Sequence, residues 1–135
     1  HRRSYRLPIR GRIYLSAPLP LYRSQRYTSG LARLGALCPG VVILEALEEY
    51  RSTLDWSERM PATLSRASAL VFLTTREGWI GRGVWDEIDA ARKRGMPVYH
   101  LSDEGRLIPA DALAFTDPDP SNWTHHVQVT VPEAT

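Results

Sequence analysis

The chain has one cysteine, Cys38, and one lysine, Lys93, in 135 residues. A single thiol excludes a disulfide framework and fits a reducing, cytoplasmic setting. Cys38 precedes Pro39 at an expected helix end, where packing is its natural role. No apolar run approaches the roughly 18 residues of a membrane span, and no apolar core follows the arginine-rich start as a secretory signal would require. The glycine loop Gly-Trp-Ile-Gly-Arg-Gly-Val, residues 78–84, lacks both the lysine of a P-loop and the G-x-G-x-x-G of a dinucleotide site. ATPase and dehydrogenase chemistry are thereby disfavoured. No cysteine or carboxylate cluster supports zinc, and His125-His126, read as neighbours in a strand, would point to opposite faces. No metal and no cofactor are expected. Internal repeats and a second domain are also absent.

The charge is unevenly placed. Arg2, Arg3, Arg6, Arg10 and Arg12 put five positive charges and no acid into the first twelve residues. The remainder holds 12 basic and 15 acidic residues, formally −3. Residues 1–11 therefore read as a basic arm on an α/β domain spanning 12–135. Such an arm is a weak nucleic-acid signal, more commonly a solvated end.

What the sequence does have is an alternation of short apolar runs and helical stripes. Strands are expected at residues 12–16, 41–44, 69–73 and 97–101 from their short apolar runs, and 41–44 also from its β-branching. A helix is expected over 22–37, a short one over 46–50, and another from Asp55 or Ser57 to Ala67, with Pro61 tolerated only in its first turn. Val84, Ile88 and Ala91 form one apolar stripe, and Arg92, Lys93, Arg94, Gly95 and Pro97 end that helix. Residues 127–131 alternate like a late edge strand. This is a single-domain, doubly wound parallel α/β sheet of order near 2-1-3-4.

In that order a crevice opens at the carboxyl ends of strands one and three, between residues 16–20 and 74–83. Tyr14 is brought near Glu87, which lies beside the buried stripe, while Asp86 and Asp89 lie further out. With Gly83 as the cap, Asp86 and Glu87 fall in the first helical turn, where the macrodipole keeps a carboxylate ionised. That suits a nucleophile or base; plain complementation of the dipole is the other reading. Trp79 and Trp85 flank the loop and are placed either to stack on a base or to pack. Arg82, with the N–H groups of residues 81–84, is placed either to hold a phosphate or to sit exposed.

Ile-Tyr-Leu-Ser-Ala-Pro at residues 13–18, and the run from Gly78 through Glu87-Ile88 and Ala91 to Pro97-Val98, resemble the two motifs of the nucleoside 2-deoxyribosyltransferase-like superfamily, notably its small bacterial and phage members. The resemblance covers residues 12–101, about two-thirds of the chain. It implies a flavodoxin-like or Rossmann-like fold and cleavage or transfer at the N-glycosidic bond of a nucleoside or nucleotide. Glu87 takes the place of the nucleophile, and Tyr14 that of the tyrosine that positions it. Ser16, Pro18, Trp79, Gly81, Arg82 and Gly83 fall where substrate is bound. It also implies a homo-oligomer with sites near subunit contacts.

The chain departs from the family where acids hold the base: Gly81, Met60 and Ser68 stand at those positions, with Asp55, Glu58 or Glu77 as possible substitutes. The loop also lacks the serine that nucleotide hydrolases of the group use for the phosphate. The alternative is a non-catalytic nucleotide-binding or sensing module of the same fold.

Overall fold

A computed structural model describes residues 9–132. Its central sheet contains parallel strands β1 (Arg12–Ser16), β2 (Val42–Glu45), β3 (Ala69–Phe72) and β5 (Val98–Leu101), with β6 (Leu107–Pro109) antiparallel at the edge. The order is β2-β1-β3-β5-β6, so the four parallel strands stand in the expected 2-1-3-4 arrangement. The fold is a doubly wound α/β sheet of the flavodoxin or Rossmann kind, with its switch point between β1 and β3.

Alternation along β1 sorts the two faces. Ile13 and Leu15 point to one layer, with Val71, Leu73 and Leu101, under helix α1 (Gln25–Leu37). Tyr14 points to the other, with Leu70, Phe72 and Val98, under α3 (Thr53–Ser65) and α4 (Arg82–Lys93). A short α2 (Ala46–Glu49) follows β2. Ser24 caps α1 by accepting the Tyr27 N–H, and Ser52 caps α3 by accepting from Asp55.

Helix α3 therefore starts before both expected positions, and Pro61 lies well inside it rather than in its first turn. Burial of Met60, Thr63 and Leu64 holds the helix together past the proline; tertiary packing outweighs the lost backbone bond here.

The expected edge strand is displaced. β8 (Val127–Thr130) is the centre of a separate antiparallel sheet, between β4 (Trp79–Ile80) and β7 (Ala114–Phe115), while the hairpin strand β6 takes the edge of the main sheet. Two residues of the glycine loop are thus strand. Gly78 permits this: its φ is +91°, and an added Cβ would lie 3.0 Å from the Val129 carbonyl oxygen. The small sheet seals the α4 layer with Ile80, Val127 and Val129.

The basic arm falls mainly on residues 1–8, outside the described residues; Ile9 is buried in the α1 layer. Among the described residues no helix is long and apolar enough to cross a membrane.

Candidate active site

Tyr14 and Ser16 stand two residues apart on β1, so both side chains enter the α4 layer. There they meet Glu87, which packs in line with Val84, Ile88 and Ala91 and is only 4% exposed. The Tyr14 hydroxyl donates to Oε2 and the Ser16 hydroxyl to Oε1. A third donor, Trp56 Nε1–H on α3, reaches Oε2 at 2.8 Å. A carboxylate offers about four acceptor positions. Three are occupied, and the one left open is on Oε1.

The Tyr50 hydroxyl lies 2.9 Å from that of Tyr14. Tyr14 has one proton and gives it to Glu87, so Tyr50 is the donor of that pair. Tyr22, just after β1, stands within reach of the Glu87 charge, and Tyr27 on α1 donates to Glu45 Oε1 at 2.7 Å at the end of β2. Four of the six tyrosines therefore gather at the carboxyl ends of β1 and β2.

Electrostatics here are set by burial. Burial pushes the Glu87 carboxyl above its ordinary range; the hydrogen bonds from Ser16, Tyr14 and Trp56 oppose this. Burial also raises the phenols of Tyr14, Tyr22 and Tyr27 above their ordinary value, which favours the protonated form of each. The expected dipole support is not available to Glu87. The cap of α4 is Gly81, not Gly83, which places Asp86 and Glu87 beyond the first turn, where the dipole fades. The three donors offset part of the desolvation, but the carboxyl stays above its ordinary range, contrary to the expectation of one held ionised.

The other residues singled out from sequence are placed as follows. Pro18 is buried and accepts the Leu21 N–H in the turn after β1. Gly81 lies against the Trp123 carbonyl oxygen, 2.6 Å from where its Cβ would be, and the Arg82 N–H donates to that same oxygen. The cradle expected from residues 81–84 is therefore partly filled by the chain itself. The Arg82 guanidinium lies over the Trp123 ring and 3.4 Å from Asp86. Gly83 lies beside Trp56. Trp79 packs edge-on against His125, and Trp85 packs on Phe115. The indole that meets Glu87 is Trp56, which the sequence did not single out.

Asp55 accepts from Arg51 and Arg59 at the start of α3, Glu58 and Glu77 are exposed, and Met60 is a core residue. His125 and His126 precede β8 rather than lie in it; His126 is buried with Nδ1–H on the Asp119 carbonyl. Tyr50 and Trp56 carried one signal: they follow the carboxyl end of β2, the end of the sheet where the site was expected.

No protein-family model matches the chain, and no curated protein matches it. Among solved structures it is similar to the crystal structure of a conserved protein from Enterococcus faecalis V583. The identity is 22% and the TM-score 0.55, over 68% of this chain and 63% of that one. This chain thus spans less than two-thirds of that neighbour's length. The likeness is one of fold.

Proposed function

We propose that the protein cleaves or transfers at the N-glycosidic bond of a nucleoside or nucleotide, with Glu87 as nucleophile. The observation that carries this reading is the carboxylate held by Tyr14, Ser16 and Trp56 at the carboxyl end of the sheet. In the proposed reaction the free lone pair of Oε1 attacks the anomeric carbon as the carbon–nitrogen bond to the base breaks. Water then opens the glycosyl ester, or an acceptor base takes its place. The oxocarbenium-like transition state gains from the buried negative charge, because the surroundings screen it little. Tyr14, Ser16 and Trp56 position the carboxylate and offset its desolvation.

One observation favours a second reading. Glu87 is nearly enclosed and three-quarters of its acceptor capacity is already used, which also suits a module that binds a nucleotide without turning it over.

Chromatography of free base from a panel of nucleosides and nucleoside 5′-monophosphates tests both. Base released by the wild type and not by Glu87→Gln supports the enzyme. No release, with a ligand-dependent rise in melting temperature, supports the module. Self-association belongs to the same proposal. Leu19, Leu47 and Leu54 are exposed just after β1 and β2 and at the start of α3, where a second copy would cover them. Light scattering reads that directly.

A further inference from the structure

The α1 face holds a concavity apart from the Glu87 cluster. A cleft of about 470 Å³ opens between α1 and the carboxyl ends of β3 and β5. That volume is in the range of small-molecule sites. Leu73 and Leu101, both on the α1 side of the sheet, give it an apolar floor. Arg26, Arg33 and Arg76 line it against one acid, Asp103; the nearby Glu77 and Glu104 are not part of the lining.

The three arginines differ. Arg26 is fixed in place: Nε donates to the Thr74 carbonyl at 2.9 Å, and Nη2 pairs with Asp103 Oδ1 at 2.8 Å. Arg33 reaches only a backbone oxygen, that of Asp103, at 2.6 Å. Arg76 stands on an exposed loop and makes no ion pair among the described residues. Asp103 thus answers Arg26, and two guanidinium charges remain without a counter-charge in the lining.

Two unmatched guanidiniums above an apolar floor make a recognition set for a dianion with an organic body. We propose that this cleft is a second binding site, one that takes a phosphomonoester. Arg33 and Arg76 hold the phosphate, whose charge near neutral pH is about −1.5 to −2. Its uncharged body lies on Leu73 and Leu101. The site is on the opposite face of the sheet from Glu87 and does not depend on the glycosidic reading. Through Arg26 it touches the loop that leads by β4 into α4, because Arg26 also reaches the Thr75 carbonyl at 3.3 Å.

Calorimetric titration of the whole chain with inorganic phosphate, phenyl phosphate and phenol, in low-salt buffer near neutral pH, tests the site. Phenyl phosphate should bind saturably and more tightly than phosphate, and phenol should not bind. Arg76→Ala should weaken phenyl phosphate about tenfold or more, as expected for a lost charge-assisted bond. Arg33→Ala should do the same; if it fails to fold, Arg76→Glu replaces it. Arg82→Ala and Glu87→Gln should bind as the wild type does. Absence of saturable binding overturns the proposal, as does binding indifferent to Arg76→Ala. Loss on Arg82→Ala would place the anion at the start of α4 instead, and would also overturn it.

Discussion

The two faces of the central sheet solve different problems with the same strands. The face under α3 and α4 is closed by the small sheet of β4, β8 and β7, and it buries a carboxylate with three donors around it. The face under α1 has one helix, leaves Tyr99 and Leu107 half-buried, and opens into a cleft lined by arginines. On the closed face charge is scarce and perturbed, because each buried ion needs partners. On the open face charge is plentiful, and water carries most of its solvation. The proposed chemistry uses the first environment, and the proposed recognition of a charged ligand by arginines uses the second.

The comparison breaks first at Glu87. Glu87→Gln should lower base release by on the order of 10³-fold or more, with circular dichroism unchanged; retention of activity would remove the closed face from the chemistry. Core packing gives the next largest effect. Phe72→Ala, in the closed layer, should cost about 3–5 kcal/mol in denaturant melts. Tyr99→Ala, on the open face, should cost roughly half of that or less. Equal losses would mean that the open face is covered in solution.

Tyr14→Phe removes a hydrogen bond to a buried charge and should cost about 1.5–3 kcal/mol. Because that bond holds the Glu87 carboxyl down, the acidic limb of the rate profile should also move to higher pH in the variant.

Titration gives smaller, signed effects. The folded protein holds the Glu87 proton to higher pH than the unfolded chain does. Stability from this group therefore falls as pH rises from the ordinary glutamate value to the raised one, and is level above it. Glu87→Gln should erase that slope. His100 acts in the opposite sense. Both its ring nitrogens are buried without partners, it stacks on Phe72, and burial lowers its pKa against the pull of Asp103 and Glu104. Its contribution is present above the ordinary histidine pKa of 6.5 and is lost as pH falls below it toward the depressed value. His100→Phe should flatten melts taken across that range. The smallest effect is expected at Asp89, on the exposed side of the same helix as Glu87: losing its pair with Lys93 should change stability by no more than about 0.5 kcal/mol.

Much of the frame was legible in the residues. β1, β2, β3 and β5 fall on the four expected runs, and β3, buried at every residue, shows the continuous apolar character that a central parallel strand needs. The stripe Val84, Ile88, Ala91 set the face of α4 and placed Glu87 beside it. The pairing of Tyr14 with Glu87 followed from the strand order alone. Other features had no local signature. β4 is two residues long and finds its partner in β8, 47 residues away at the Ile80–Val127 register pair. Pro61 reads as a helix breaker, and only the burial around it outweighs that preference. Trp56 and Tyr50 lie in segments whose position over β1 no periodicity encodes.

By itself, then, the sequence determined the four parallel strands of the main sheet and the motif positions of Tyr14 and Glu87, since period and apolar content act over a few residues. Only the tertiary structure decided the state of the carboxylate and the existence of the arginine cleft. Desolvation, donor count and unmatched charge depend on which distant side chains arrive at one point in space. Trp56 reaches Glu87 across 31 positions in the chain, and Arg33 reaches Asp103 across 70.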